Sequence, residues 1–130
     1  MNYNYFYLTD KEGKSNCVIR SFCKIYDKEY EDVSNELLSI SKELNCNFND
    51  IETFEEFMRL RNTIKLDNYQ DELIKDLKLD DGKYIIFCYD KKDFYHMVPV
   101  INKTVYDYNN DSLNLYVISI YKVNPWSISC

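Results

Sequence analysis

Glycine and proline are scarce, with 2 of each in 130 residues. Phosphate-cradling loops need several close backbone approaches that only glycine permits, so a Gly-rich nucleotide loop is excluded. Histidine is scarcer still: His96 is the only one, and a zinc site with two His ligands cannot form. The cysteines at 17, 23, 46, 88 and 130 contain no CxxC pair, so a Cys-rich zinc site is not expected either. No metal and no cofactor is expected. Basic charge is also in deficit, 16 Lys and Arg against 22 Asp and Glu, for a net −6. A nucleic-acid binder concentrates cations on one face, whereas here they are scattered among acids, so neither nucleic acid nor an anionic membrane is an expected partner. No window reaches the ~18 apolar residues of a membrane span. The start MNYNYFYLTDKEGKS lacks the basic-then-apolar pattern of a signal peptide. Five cysteines, an odd number, point to free thiols in a reducing compartment, and the expected location is the cytoplasm.

What the chain has in quantity is tyrosine, 13 in all. Together with abundant Asn, Lys and Ile this matches the codon bias of an AT-rich genome. The length suits one domain over residues 1–130 with a core that needs no staples. Nothing in the sequence fixes an oligomeric state.

Residues Tyr3 to Leu8 read as a short strand, and Asp10 to Asn16, with Gly13, as a loop. From Cys17, Val18, Ile19, Phe22, Ile25 and Tyr26 recur at helical spacing, with Arg20, Ser21, Lys24 and Asp27 opposite. Ser15 or Asn16 would cap that helix. A second helix from about Tyr30 carries the stripe Val33, Leu37, Ile40, Leu44. Thr53 and Glu56 have capping-box spacing and would open a third. Leu73, Ile74 and Leu77 suggest a short helix stopped at Asp80-Asp81-Gly82. Strands follow: Lys83 to Cys88, Tyr95 to Ile101, Thr104 to Tyr108 and Leu115 to Val123, with Asn102-Lys103 as a two-residue hairpin turn. Helices first and an antiparallel meander second make an α+β domain, with the Pro125-Trp126 tail packing back on the sheet.

The acid pairs Asp80-Asp81 and Glu55-Glu56 fall at a turn and on a solvated helix face, not opposed across a cleft as a glycosidase requires. The remaining chemistry is nucleophile plus base. Cys17 opens a helix, where backbone N–H groups and the helix dipole favour a thiolate. His96 shares a strand face with Val98 and Val100. With a two-residue turn at Asn102-Lys103, Val98 pairs with Asp107 and His96 with Asn109, so Asp107 lies diagonally across from His96 and Asn109 directly opposite. Either could accept a hydrogen bond from the imidazole and fix its tautomer, the orienting role in a triad.

A helix-opening Cys followed far downstream by a strand His and an Asp or Asn on the next strand resembles the papain-like cysteine peptidases. The run Asn16-Cys17-Val18-Ile19-Arg20-Ser21-Phe22, continued by Tyr30-Glu31-Asp32-Val33, is similar to small papain-like proteins of phages, prophages and low-GC bacteria, distantly akin to bacteriocin-processing peptidases. Gly82 to Ile86, His96 and Tyr106-Asp107 match the second half of that pattern. The resemblance implies a papain-like minimal fold, with N-terminal helices packed on a C-terminal antiparallel sheet. It implies Cys17 as nucleophile, His96 as general base and Asp107 as the orienting acid, Asn109 being the alternative. Two positions depart from the pattern. Asn16 stands where the family has Asp, and no upstream Gln supplies an oxyanion donor, which leaves the Cys17 N–H and the Asn16 side chain for that role. Arg20, one turn after Cys17, would hold a buried carboxylate or face a substrate.

Two functions follow as expectations. One is a thiol hydrolase cutting a peptide or related amide bond in a peptide or protein substrate. The other is a non-catalytic phage-type interaction protein on the same fold that binds a host protein, such as a defence protein. Exposed tyrosines clustered away from the Cys17–His96 cleft would favour the second.

Overall fold

In a computed structural model, residues 1–124 are described; the Pro125-Trp126 tail and Cys130 lie outside the described residues. The elements run β1 (Asn2–Tyr5), α1 (Cys17–Tyr26), α2 (Tyr30–Leu44), α3 (Ile51–Arg59), β2 (Thr63–Leu66), a 3₁₀ turn (Ile74–Asp76), β3 (Lys83–Tyr89), β4 (Tyr95–Ile101), β5 (Thr104–Asp107), a second 3₁₀ turn (Asn110–Asn114) and β6 (Tyr116–Val123). The class is α+β, with three helices and one six-stranded sheet in the order β1-β5-β4-β3-β6-β2. A meander describes β3-β4-β5 alone. β6 returns to the far side of β3, and β1 adds to β5 in parallel.

Each sheet face has its own core. Val18, Phe22, Leu37, Phe57 and Met97 are buried between the helices and the sheet, with the Phe22 and Phe57 rings stacked at 4.4 Å. Val98, Val100, Val105, Ile86 and Ile120 fill the other face under Ile74, Leu77 and Leu79. The α1 stripe is buried as its periodicity predicts, apart from the half-buried Tyr26, but Arg20 and Ser21, expected on a polar flank, are buried too. That flank meets Met97 of β4 and Asp107 of β5 rather than water. In α2, Val33, Leu37 and Ile40 are buried while Leu44, the last of the predicted stripe, is 45% exposed, because the helix ends there at Asn45 in the left-handed region. The Thr53–Glu56 capping box does not form. Asp50 precedes the first turn of α3, Thr53 Oγ donates to the Asn47 carbonyl at 2.8 Å, and Glu56 pairs with Arg59.

The hairpin turn is as expected. Asn102 and Lys103 both have positive φ, 48° and 66°, the requirement of a type I′ turn, and Ile101 pairs with Thr104 and Val100 with Val105. The ladder stops there. The next hydrogen-bonded pair would need a donor from residue 99, which is proline and has no N–H. The expected pairs Val98–Asp107 and His96–Asn109 are therefore not formed. Instead β5 pairs on its other side with β1, Asp107 opposite Tyr5. The opening between β4 and β5 is where the N-terminal turn of α1 docks.

Candidate active site

Cys17 is the first residue of α1, and Asn16 is its cap: Asn16 Oδ1 accepts the N–H groups of Val18 and Ile19 at 2.8 and 3.2 Å. The Asn16 carbonyl accepts from Arg20 N–H at 2.9 Å. With those donors taken, the Cys17 N–H is the donor of the first turn that neither the cap nor the helix engages. Asn16 is thus a cap through its oxygen, and its amide NH₂ is what remains for an oxyanion.

Beyond Pro99 the open edge of β4 offers Met97 main-chain groups to α1. Ser21 Oγ lies 3.1 Å from the Met97 carbonyl and 2.8 Å from that of Cys17. The Met97 N–H is directed at the Cys17 sulfur and stabilises its anion. The nucleophile is in this way fixed against the same strand that carries the base. His96, one residue before Met97, is buried. Its Nε2 donates to Asp107 Oδ2 at 2.7 Å, leaving Nδ1 as the ring nitrogen for Cys17. The Phe94 ring stacks on the imidazole at 5.6 Å and Tyr108 meets it edge-on at 6.4 Å.

Asp107 is also buried. Its other oxygen, Oδ1, accepts from Tyr108 N–H at 2.8 Å and lies 3.7 Å from Arg20 Nη2. Arg20 Nη1 donates to Ser15 Oγ at 2.5 Å, and Ser15 Oγ donates to the Leu8 carbonyl at 2.5 Å. The guanidinium packs against the rings of Tyr7 and Tyr108, 5.5 and 5.0 Å from their centroids. Arg20 therefore holds the buried carboxylate. Asn109, the alternative third member, is elsewhere: its Oδ1 accepts from Asp111 N–H at 2.9 Å and caps the second 3₁₀ turn.

Electrostatics separates Cys17 from the other described thiols. Burial alone would raise its pKa, but the hydrogen bond and charge of His96, the Met97 N–H and the Arg20 charge together lower it below the ordinary 9.0. Burial would lower the His96 pKa, yet the hydrogen bonds and charges of Asp107 and Cys17 raise it from 6.5 to about 9. The same Cys17–His96 contact lowers the thiol from 9.0 and helps raise the imidazole to about 9, so each group shifts the other toward its charged form. Burial pushes Cys23 up to about 11 and Cys88 well above 9.0. Cys46 is engaged with Thr53, 3.1 Å from its Oγ.

The Cys17–His96 pair opens on a cleft of about 540 Å³ walled by Ser15, Arg20 and the rings of Tyr5, Tyr7, Phe94, Tyr95 and Tyr108. The structure brings together Cys17, His96 and Asp107, the three residues singled out from the sequence. Sequence reasoning missed Ser15, Ser21, the Met97 N–H and the aromatic walls, for which nothing in local spacing gives a signal. Among the described residues, no group of three or more His, Cys, Asp or Glu could hold a metal ion, and no helix is long and apolar enough to cross a membrane. Comparison of the chain with protein-family models, with curated proteins and with solved structures finds no match.

Proposed function

We propose that this chain is a papain-like thiol hydrolase that cuts a peptide or related amide bond through Cys17, His96 and Asp107. The observation that carries the reading is the coupled Cys17–His96–Asp107 arrangement at the floor of an open cleft. The nucleophile at a helix start, the base on a strand and the acid on the next support this reading, since the sequence resemblance implies such a layout.

In this mechanism the Cys17 thiolate attacks the substrate carbonyl carbon, forming a C–S bond and pushing the carbonyl electrons onto oxygen. The Cys17 N–H stabilises that oxyanion, with the Asn16 amide as the side-chain donor within the same turn; one such donor is worth ~10²–10³ in rate. As the C–N bond breaks, the His96 imidazolium delivers its Nδ1 proton to the leaving amine. Neutral His96 then takes a proton from water, whose oxygen attacks the acyl carbon. The C–S bond breaks, the acid departs, and thiolate and imidazolium are restored. Asp107 holds Nε2–H throughout, so that Nδ1 always faces the sulfur.

Exposed aromatic residues would have spoken for the interaction-protein reading had they clustered away from Cys17. Instead the exposed rings line its cleft, which supports the hydrolase reading. The four described cysteines are free thiols, in keeping with work in the reducing cytoplasm of a bacterial or infected cell.

The test is a burst experiment with p-nitrophenyl acetate at neutral pH. A rapid release of about one nitrophenolate per chain is expected as Cys17 becomes acylated, followed by slow turnover. Cys17→Ala should abolish the burst and His96→Ala should slow it by roughly 10²–10⁴. Acylation spread over several cysteines, or a burst that survives Cys17→Ala, would remove the reading.

A further inference from the structure

Among the described residues, the large aromatic side chains that stand exposed are Tyr5, Tyr7, Phe94, Tyr95 and Tyr108, and all five line the cleft over Cys17 and His96. The other tyrosines are buried or half-buried. Codon bias alone would scatter exposed rings over the surface. Exposed apolar surface gathered at a concave site marks recognition instead.

The rings are also braced before anything binds. Tyr95 stacks on Phe87 at 6.1 Å, Phe94 on the imidazole, and Tyr7 and Tyr108 meet edge-on at 5.9 Å. Rigid aromatic anchors lose little freedom on binding, so their contact area counts more fully toward affinity. Charge in the cleft is already paired. Arg20 is bound to Asp107 and Ser15 and packed against two rings, and His96 is held by the other oxygen of Asp107. A carboxylate or ammonium entering here would lose hydration without gaining a counter-ion.

One further feature concerns the shape of the occupant. β1 is the last strand on its side of the sheet, and its chain leads directly to Tyr5 and Tyr7 of the cleft wall. An extended polypeptide can hydrogen-bond to such an edge while its alternate side chains reach the adjoining pockets.

Resting on the hydrolase reading, the geometry points to a substrate class. The cleft takes an extended polypeptide segment whose residues beside the scissile bond carry bulky uncharged side chains, aromatic above all, seated against Tyr5, Phe94 and Tyr95.

Three peptidyl acyloxymethyl ketones that differ only in carrying phenylalanine, aspartate or lysine beside the reactive group, with iodoacetamide as a fourth reagent, test this. The rate of Cys17 modification is followed by mass spectrometry. The phenylalanine probe should react at least roughly tenfold faster than the other two. Its rate relative to iodoacetamide should fall several-fold in Tyr5→Ser and Tyr95→Ser, two side chains that are 67% and 58% exposed and so replaceable without cost to the core. Equal rates for the three peptides, a preference for a charged one, or a phenylalanine preference that survives both substitutions would overturn the substrate class, while rapid iodoacetamide modification of Cys17 left the hydrolase reading standing. Slow modification by all four reagents would overturn that reading and the substrate class with it.

Discussion

Asp107 is the residue on which the site turns, because its two oxygens serve different neighbours. One takes the His96 Nε2–H, and the other takes the Tyr108 N–H and faces the Arg20 guanidinium. Arg20 thus acts on Cys17 through two residues as well as by its own charge. Removing it takes away one of the two cations beside a buried carboxylate, His96 being the other, so the cost should stay below the roughly 3–5 kcal/mol of a fully broken buried pair. Arg20→Gln is expected to lower the urea midpoint and, in protein still folded, to move the inflection of Cys17 alkylation to higher pH. A residue that merely filled space would change the first and not the second. Arg20→Lys should not restore the wild-type profile, since an ammonium lacks the planar fork that reaches Ser15 and Asp107 at once while packing against two rings. Cys17, His96 and Asp107 were legible in the sequence because each combines a special residue type with a predictable place, at a helix start or beside a two-residue turn. Arg20 was legible as a carboxylate holder. The rings that pack against it were not, because Tyr7 and Tyr108 reach it from segments a hundred residues apart.

At the scale of elements, the junction between α1 and β4 decides the geometry. Asn16 ties down the first turn, so Asn16→Ala should cost about 1 kcal/mol of unfolding free energy, measured by urea denaturation. Asn16→Asp keeps the cap but sets a negative charge next to the sulfur. Stability should stay near that of the wild type while the Cys17 alkylation inflection rises. The open β4 edge that receives α1 traces to Pro99, and this signal was present in the sequence. A proline beyond the first hairpin pair predicts an interrupted ladder, and with it the failure of the two pairs expected past Pro99. The parallel addition of β1 could not be read this way. Its residues read as a strand, but its partner lies a hundred positions downstream, and local pattern carries no information on such pairing. Strand β2 escaped notice for another reason: Ile64 and Lys65 are exposed on a four-residue edge strand, so no alternation of burial marks it. Thr53 and Glu56 show the converse, a motif with the right spacing whose threonine is drawn into a tertiary contact with the Asn47 carbonyl.

For the molecule as a whole, the site has consequences for stability as a function of pH. The His96 pKa rises from 6.5 unfolded to about 9 folded, so its contribution is complete below pH 6.5 and is lost as pH climbs through about 9. The lowered Cys17 thiol works in the opposite sense, stabilising above its unfolded value of 9.0 and losing that contribution as pH falls through its folded pKa. The two are separable by mutation. In a Cys17→Ala background, where Asp107 is the partner that still raises the imidazole, the stability advantage of His96 over a His96→Gln companion should be largest at pH 6 and shrink as pH rises, as read from urea midpoints. An advantage that grows with pH would contradict the raised imidazole.

The reactive ion pair itself is most directly tested by the pH dependence of iodoacetamide labelling at each cysteine, followed by mass spectrometry in the wild type and in His96→Ala. Cys17 is expected to label rapidly below pH 7 while the buried Cys23 and Cys88 stay slow, and to lose that low-pH reactivity when His96 is removed. Labelling of Cys17 that begins only near the ordinary thiol pKa, or that is indifferent to His96, would contradict the thiolate–imidazolium pair and the hydrolase reading built on it.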